Sequence, residues 1–326
     1  MKAIVYYNYG SPDVLNLEEV DKPIPKDDDV LIKVHAASVN PLEWHFMRGK
    51  PLFMRLAVSG LLKPKNKILG VDIAGRVEEV GRNVLQFEPG DEVFGGSDSG
   101  GGYAEYVSVS ENKLALKPTN ITFEEAAAIP IAAITALQGL RDKGEIQSGQ
   151  KVLINGAGGG VGTYAVQIAK SFGAEVTGVC STEKLDIVSS LGTDHVIDYT
   201  KEDFTKNGQR YDLIFDAAAY RSISDYKRAL FPDGIYVMIG GSMPLMFRVM
   251  FSGLWISKTG RKKFKILMAK INSEDLVILK ELFETGKIAT VIDRRYPLSE
   301  TAEAIRYLEE GHAQGKVVIT VEQNNK

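Results

Sequence analysis

The segment KVLINGAGGGVG, Lys151–Gly162, decides the fold of this chain. It opens with a short apolar run, Val152–Ile154, typical of a buried strand, and a helical pattern starts near Val161. The glycines between them allow backbone conformations that a Cβ would resist, and they let the chain approach a pyrophosphate closely. Because the amides and the positive dipole end of the next helix face the same point, the segment predicts a dinucleotide-binding turn.

The spacing of the small residues departs slightly from the pattern GxGxxG, because Ala157 takes the place of the first glycine. A flexible glycine loop without a ligand is the alternative, but a strand before the turn and a helix after it favour phosphate binding. The residues of this turn predicted to contact the cofactor are Ala157, Gly158, Gly159, Gly160, Val161 and Gly162.

Composition favours two soluble globular domains, since the chain has 326 residues, 44% hydrophobic and 25% charged. A net charge of -3 gives no reason to expect a nucleic acid partner. The single cysteine, Cys180, excludes an internal disulfide and suits a reducing compartment, so we expect a cytoplasmic protein. The first residues lack the pattern of a secretory signal, and no apolar run reaches the length that spans a bilayer.

The pattern of secondary structure changes along the chain. From Met1 to about Thr119, short alternating runs separated by Gly and Pro predict an all-β opening, a partly open barrel. After that point, helical patterns alternate with buried strands, which predicts a parallel, doubly wound sheet with its ligand at the carboxyl ends of the strands. The run FKILMAKI, 264–271, is expected to be the sixth strand of this sheet.

Five motifs in this order resemble the medium-chain dehydrogenase/reductase superfamily, and within it the zinc-free quinone oxidoreductase branch. They are AASVNPLEW (36–44), LGVDIAG (69–75), AITALQGL (133–140), NGAGGGVG (155–162) and HAQGKVVI (312–319). The resemblance implies an α/β plus β fold: a GroES-like, partly open β-barrel catalytic domain, 1–120 and 273–326, with a Rossmann NADPH-binding domain, 121–272, inserted. It also implies a homodimer.

The zinc ligands of related dehydrogenases are missing. Zinc-dependent relatives have a Cys at the position of Asn40, and a His in a GHE motif where this chain reads Gly70-Val71-Asp72. Valine cannot bind a metal, and the four-cysteine lobe of those relatives is replaced by the short loop 95–102. We therefore expect no metal.

Without zinc to polarise a carbonyl, hydride transfer to an already conjugated acceptor is the favoured reaction. The sequence thus predicts an NADPH-dependent reductase of quinones or α,β-unsaturated carbonyls. Two alternatives stay open: an NADPH-binding redox-sensing or membrane-associated protein with little turnover, and an enoyl-thioester reductase.

Two residues are candidates for the catalytic region. Asn40 is predicted to orient the substrate or the nicotinamide ribose, although a turn residue before Pro41 is an equal alternative. Asp72 is expected to make a structural hydrogen bond or an ion pair near the cofactor phosphates. The candidates for an apolar substrate wall are Trp44, Phe46 and Met47, which would otherwise be barrel core.

The end of the second Rossmann strand, EVTGVC, points to NADPH. It is followed by Ser181, Thr182 and Lys184 where NAD-binding proteins carry a carboxylate, although Glu183 lies one residue away. Tyr199 matches a tyrosine near the 2′-phosphate in quinone oxidoreductases, or else covers the sheet edge. Further cofactor contacts are expected from Thr135, Ile239, Gly240, Gly241, Ser242, Gly315 and Lys316, the lysine reaching the phosphates.

The segment 243–265 is first apolar and then basic, and it has two interpretations. It shapes the substrate pocket or a dimer contact, or it makes a weak peripheral membrane contact. In the second case Phe251 and Trp255 would insert while Arg261, Lys262 and Lys263 face lipid headgroups.

Overall fold

The computed structural model describes residues 1–50, 55, 60–97, 100–241, 244–250, 253 and 260–321. The chain divides into two compact units. Unit 1 comprises Met1–Ile131, Ile271–Glu284 and Thr290–Lys326, and unit 2 comprises Ala132–Lys270 and Thr285–Ala289. The domain bounds assigned from the sequence, after residues 120 and 272, stay a prediction.

Unit 1 is built on a seven-stranded sheet organised around one long strand, β3. One edge of β3 pairs with β4, and its other edge is shared by β6, over residues 29–33, and β15, over residues 36–39. The order β14-β15-β3-β4-β5-β7 has two free ends, so the described strands form an open barrel, as the sequence predicted. A ribbon of β1 and β2 is separate. The strands are β1 Lys2–Val5, β2 Asn16–Glu19, β3 Asp29–Val39, β4 Asp72–Val80, β5 Glu92–Gly96, β6 Tyr106–Ser110, β7 Leu114–Leu116, β14 Ile292–Pro297 and β15 Lys316–Thr320.

The helices of unit 1 pack on the core of this sheet. The core contains Ile32, Val34, Ile73 and Val93, all fully buried, because β3 and β4 present apolar side chains at nearly every inward position. The helices are α1 Pro41–Arg48, α2 Phe123–Ala127, the first residues of α3 Pro130–Gln138, α7 Ser273–Glu284 and α8 Thr301–Glu309.

Unit 2 is a six-stranded sheet in which every adjacent pair is parallel. The order β10-β9-β8-β11-β12-β13 reverses direction at β8, which is the switch point where open parallel sheets bind ligands. The doubly wound sheet and its sixth strand are confirmed. The strands are β8 Lys151–Asn155, β9 Glu175–Cys180, β10 His195–Asp198, β11 Tyr211–Asp216, β12 Leu230–Met238 and β13 Lys263–Ile266, and the helices α4 Gly160–Ser171, α5 Leu185–Ser190 and α6 Ile223–Ala229.

The glycine turn between β8 and α4 has the predicted strand-turn-helix form. Gly156 has a left-handed φ of +81°, and its N–H and that of Ala157 both donate to the Val179 carbonyl at 3.0 Å. Helix α4 then lies against the turn, because a Cβ on Gly162 would come within 2.0 Å of the Gly156 carbonyl oxygen. A glycine at 162 therefore allows α4 to begin directly after β8.

This contact predicts that a methyl group at position 162 destabilises unit 2 while one at position 159 does not. Gly162→Ala overlaps backbone atoms and should lower the free energy of unfolding by about 1–3 kcal/mol or more. Gly159→Ala is the matched control from the same turn, since its Cβ would meet only the Gly156 oxygen at 3.5 Å. Urea unfolding of the two variants measures the difference, and equal stability of both would contradict the packing argument.

Candidate active and cofactor-binding sites

The glycine turn places several anion-binding groups at the carboxyl edge of unit 2. The first-turn amides of α4 have no acceptor within the helix and are available to a phosphate. Lys184 lies against the turn, since a Cβ on Gly158 would be 2.8 Å from the Lys184 Cδ atom. The structure therefore brings together the residues that the sequence assigned to the pyrophosphate and to the 2′-phosphate.

Of the hydroxyl residues that follow β9, Thr182 is held by an acidic side chain. The Thr182 Oγ1 atom donates to the Asp198 Oδ2 atom at 2.5 Å, and the Thr200 hydroxyl donates to the other carboxylate oxygen at 2.6 Å. Lys201 forms an ion pair with the same carboxylate at 3.2 Å. The hydrogen bonds from Thr182 and Thr200 hold the pKa of Asp198 far below its usual range, so it is ionised.

Sequence reasoning missed Asp198. It ends β10, the strand next to β9, and a carboxylate there would repel a 2′-phosphate if it faced the ligand. Only 9% of its side chain is exposed, and both oxygens are already hydrogen bonded. The sequence feature that could have identified Asp198 is the aspartate in the motif VIDYT, at the end of a predicted strand.

An aromatic pair stands beside these groups. Tyr199, which follows β10, and Tyr220, which follows β11, have ring centroids 6.3 Å apart, and each is about half exposed, 48% and 50%. The guanidinium of Arg221 lies 4.7 Å from the Tyr220 ring, and its Nη1 atom is 3.1 Å from Asp203. Tyr199 thus lies at the carboxyl edge, as predicted, with a partner that the sequence did not indicate.

The segment after β12 is fixed by main-chain bonds to the loop after β11. The N–H of Ile239 donates to the Asp216 carbonyl at 2.9 Å, and the N–H of Ala219 donates to the Gly240 carbonyl at 3.1 Å. Gly241 has a φ of +146°, and Thr135 is a nearly buried residue of α3. Their contact with a cofactor stays a prediction, and Ser242 lies outside the described residues.

Unit 1 contains a buried charged cluster that includes Asn40, the residue at the position of a zinc-binding Cys in the related dehydrogenases. Asn40, at the end of β3, is the N-cap of α1, and its backbone N–H donates to Glu43 Oε2 at 2.8 Å. The Asn40 Nδ2 atom donates to Asp72 Oδ2 at 3.0 Å, and its Oδ1 accepts from Lys316 Nζ at 2.5 Å. The Lys316 ammonium is also 3.5 Å from Asp72 Oδ2.

Asp72 and Glu43 are further tied to the surrounding backbone. The Asp72 Oδ2 atom also accepts from the Ser38 hydroxyl at 2.9 Å, and its Oδ1 from the Ile131 N–H at 2.9 Å. The Glu43 Oε1 atom accepts from the Val71 N–H at 3.1 Å. The cluster therefore has a buried cation, two carboxylates and an amide, all fixed by strand ends and one helix N-terminus.

The geometry changes three assignments made from the sequence. Lys316 does not reach cofactor phosphates, because its ammonium is buried and hydrogen bonded within unit 1. Asn40 has the turn role that was its alternative, since its amide is engaged by Asp72 and Lys316. Met47 is fully buried in the core and cannot line an open substrate wall.

The other predicted residues of unit 1 have the following surroundings. Trp44 and Phe46 pack against the core but are only partly buried, so a role in the substrate wall stays a prediction for them. Gly315 has a φ of +92°, and a Cβ there would lie 2.4 Å from the Val291 carbonyl oxygen. The backbone conformation and the close packing of this turn thus account for the glycine at position 315. Asp72 makes structural hydrogen bonds and an ion pair with the buried Lys316, and a place near the cofactor phosphates stays a prediction for it.

The cluster is buried and has one more carboxylate than cations, and burial is the main cause of its pKa shifts. Burial, and then the charge of Asp72, raise the pKa of Glu43 to about 7. Burial lowers the pKa of Lys316, although Asp72 and Glu43 oppose the shift. In the described part of the chain, no three His, Cys, Asp or Glu side chains are grouped to hold a metal ion.

The basic end of segment 243–265 is paired within unit 2. Arg261 binds Asp233 at 2.5 Å, Lys262 donates to the Leu230 carbonyl at 2.8 Å, and Lys263 lies 3.2 Å from Glu145. Phe251 and Trp255 lie outside the described residues. Among the helices that the structure describes, none is long and apolar enough to cross a membrane.

Comparison with known proteins agrees with this architecture. A family model described as alcohol dehydrogenase GroES-like domain matches residues 26–119, and one described as zinc-binding dehydrogenase matches 191–319. The chain is 37% identical to the 2-methylene-furan-3-one reductase of Solanum lycopersicum, over 98% of this chain and 79% of the relative. It is also 37% identical to an NADPH-dependent alkenal/one oxidoreductase of Arabidopsis thaliana, with the same coverage.

A solved structure shares the whole fold. The quinone oxidoreductase from Coxiella burnetii superposes with a TM-score of 0.86 at 32% identity, covering 99% of each chain. A GroES-like unit combined with a Rossmann unit defines the class of nicotinamide-dependent dehydrogenases and reductases. Within that class, the chain belongs to the medium-chain dehydrogenase/reductase superfamily, in its zinc-free, quinone oxidoreductase-like branch.

The buried cluster predicts a large effect of removing its only cation. Lys316→Met leaves Asp72 and Glu43 without a compensating charge and should lower the free energy of unfolding by about 3–5 kcal/mol. Lys22→Met is the control, because Lys22 forms an exposed pair with Glu78 worth about 0–1 kcal/mol. Urea denaturation at neutral pH compares them, and similar losses would show that Lys316 is not a compensating charge.

The raised pKa of Glu43 predicts a pH dependence of stability. Its folded pKa of about 7 exceeds the ordinary 4.5, so the folded state keeps this proton longer than the unfolded state. The contribution of Glu43 to the free energy of unfolding therefore falls as pH rises from 4.5 to 7, by about 3 kcal/mol in total. Chemical denaturation at the two ends of that pH range measures this change. The free energy of unfolding of wild type should fall by this amount relative to that of Glu43→Gln.

Glu125→Gln is the matched control for this measurement. Glu125 is the same capping-box residue of α2, with its carboxylate bound to the Thr122 N–H at 2.8 Å, but it is partly accessible to solvent. Glu125→Gln therefore controls for the loss of a capping-box carboxylate outside the buried cluster. If the free energy of unfolding of Glu43→Gln changed with pH in parallel with that of wild type, this would contradict the raised pKa of Glu43.

Proposed function

We propose that this protein is an NADPH-dependent, zinc-independent reductase that transfers hydride to quinones or α,β-unsaturated carbonyls. The observation that carries the proposal is the glycine turn at the switch point of the unit 2 sheet, with Lys184 packed against Gly158. The names of the relatives support it, because they describe an alkenal/one oxidoreductase that depends on NADPH, a 2-methylene-furan-3-one reductase and a quinone oxidoreductase.

The residues of unit 2 bind and orient the cofactor. The amides of the first turn of α4 bind the pyrophosphate through the helix dipole and direct hydrogen bonds. Ser181 and Lys184 hold the 2′-phosphate, and Asp198 keeps the Thr182 hydroxyl in place without presenting its own charge. Bound NADPH supplies the hydride. Thr135, Ile239, Gly240 and Gly241 are proposed to hold the nicotinamide end.

The absence of the usual zinc ligands at positions 40 and 71 determines which acceptors suit the protein. An unactivated ketone needs a Lewis acid to take up the developing charge, whereas a conjugated carbonyl spreads that charge onto its own oxygen. Positioning the acceptor then accounts for most of the catalysis. Lys316, which is bound to Asn40 and Asp72, stabilises the fold of unit 1 and does not bind the acceptor.

We also keep the prediction of a cytoplasmic homodimer as a proposal. The single cysteine is buried, and burial raises the pKa of the Cys180 thiol to about 11, which suits an unreactive residue in a reducing compartment. The Arabidopsis relative is named as chloroplastic, and a chloroplast stroma is also a reducing compartment. A membrane contact through 243–265 is not supported by the internal pairing of Arg261 and Lys263.

The test is NADPH oxidation by the purified protein with four kinds of acceptor. We expect turnover with an ortho-quinone and with a short alkenal or enone, and none with a saturated ketone. A crotonyl thioester separates the enoyl-thioester alternative, since preference for it over both other acceptors would replace the proposed substrate class. Turnover should survive a metal chelator, and should fall by about tenfold or more when NADH replaces NADPH.

Two results would contradict the proposal. Restoration of activity by zinc after chelation would show a metal mechanism. Tight NADPH binding without turnover on any conjugated carbonyl would favour the redox-sensing alternative.

A further inference from the structure

Asp216, the last residue of β11, is a buried carboxylate that the proposed reaction does not use. Its side chain is 0% exposed, and no described cationic side chain forms a salt bridge with it. Neutral donors surround it instead: Asn155 Nδ2 at 2.7 Å, the Ala218 N–H at 3.2 Å and the Tyr236 hydroxyl at 2.9 Å. An ion buried without a counter-ion is costly, so stability alone is a poor reason for this arrangement.

On one side, Asp216 is connected to the glycine turn. Asn155 ends β8 and immediately precedes Gly156, the first residue of the turn. Its Nδ2 atom donates both to Asp216 and to the Ala218 carbonyl at 3.1 Å. The carboxylate therefore fixes the entry to the turn against the loop that follows β11.

On the other side, the Tyr236 hydroxyl binds Asp216, and the Tyr236 ring packs 4.5 Å from that of Tyr226, which contacts the loop. The Tyr226 hydroxyl, on α6, accepts from the N–H groups of Tyr220 and Arg221, each at 3.2 Å. One hydroxyl thus determines the backbone course of residues 220 and 221. This is the loop whose half-exposed Tyr220 ring stands 6.3 Å from Tyr199, the tyrosine assigned to the 2′-phosphate end of the cofactor.

The loops that carry the two tyrosines come from strands that are not neighbours. Strands β9 and β8 separate β10 from β11 in the sheet, yet the rings of Tyr199 and Tyr220 meet. Burial, the largest influence, raises the pKa of Asp216, and the hydrogen bonds from Asn155 and Tyr236 oppose that shift. The side chains of Asp216, Asn155, Tyr226 and Tyr236 all have hydrogen-bond partners, and such networks specify one arrangement of the groups they join.

We propose that Asp216 and Tyr226 are positioning residues that preset both halves of the binding surface for the ADP part of NADPH. Asn155 connects Asp216 to the pyrophosphate-binding turn, and Tyr226, packed against the Tyr236 ring, holds the backbone of Tyr220 and Arg221. The ADP part then binds to a surface that is already ordered and loses less affinity to the ordering of loops. This inference rests on the proposed NADPH-dependent function.

The structure offers a matched pair of variants to test it. Tyr226 and Tyr236 are both fully buried and their rings lie 4.5 Å apart. The Tyr236 hydroxyl donates to Asp216, and of the two hydroxyls the structure shows only that of Tyr226 accepting from the backbone of residues 220 and 221. Tyr226→Phe and Tyr236→Phe thus each remove one hydroxyl group from the same buried aromatic cluster, and they differ in the connection to the loop.

The measurement is the dissociation constant of full-length protein for NADPH and for 2′-phospho-ADP-ribose, which lacks the nicotinamide. Tyr226→Phe should weaken both by about five- to tenfold, because two amides lose their acceptor. Tyr236→Phe should change either by less than about twofold, since its hydrogen bond lies outside the loop. The KM for NADPH should follow these values, whereas kcat and the KM for the acceptor should not separate the two variants.

A second readout does not depend on the cofactor. Amide hydrogen exchange at Tyr220 and Arg221 in the free protein should accelerate in Tyr226→Phe and stay near wild type in Tyr236→Phe. Thermal unfolding of both variants controls for a general loss of structure. Equal weakening of binding by both variants, or unchanged binding in Tyr226→Phe despite faster exchange, would overturn the positioning role.

The outcomes also separate this inference from the proposed function. Wild-type protein that binds 2′-phospho-ADP-ribose but reduces no conjugated carbonyl would refute the reductase, and the two variants would still decide the positioning role. Wild-type protein that binds neither NADPH nor 2′-phospho-ADP-ribose would overturn both.

Discussion

The near contact between Gly162 and the Gly156 carbonyl is the constraint on which the cofactor site depends. A side chain at 162 would push α4 away from β8, and the amides at the start of the helix would then no longer lie at the carboxyl edge of the sheet. Lys184 packs on the same turn from the end of β9, so the anion-binding groups of two strands share one small volume. A phosphate site made of backbone amides needs this closeness, because hydrogen bonds and the helix dipole both act over short distances.

Each unit places a buried carboxylate at the end of a strand or beside one, but the two carboxylates are stabilised differently. In unit 1, Asp72 faces the Lys316 ammonium, and the extra charge of Glu43 is relieved by a raised pKa. In unit 2, Asp216 has only neutral donors, and its neighbours are loops that the proposed function uses. The first arrangement compensates charge inside a β core, whereas the second fixes loops by hydrogen bonding. We infer that the first serves mainly the fold and the second mainly the site.

The lysine cluster also bears on the chemistry of this branch of the superfamily. The positions of two zinc ligands of zinc-dependent relatives are occupied by Asn40 and Val71. Lys316 lies between Asn40 and Asp72 and is bound by both, so this region of unit 1 is held together by an ammonium group and amide hydrogen bonds. This ammonium is buried, so it does not take the place of a Lewis acid at a carbonyl oxygen. Because the zinc ligands are replaced, the suitable acceptors are those that are activated by their own conjugation.

The sequence by itself determined the order of the strands and helices, the glycine turn, the replaced zinc ligands and the uncharged end of β9, because these depend on local patterns and on residue types at fixed spacings. It did not determine what the polar side chains bind. Lys316 and Asn40 are 276 positions apart, and the Tyr236 hydroxyl meets Asp216 only after β12 pairs with β11. Met47 was predicted as pocket wall and lies in the core for the same reason. Burial and hydrogen-bond partners are properties of the packed chain, since they depend on which distant residues occupy the space around a side chain, and only the tertiary structure decides them.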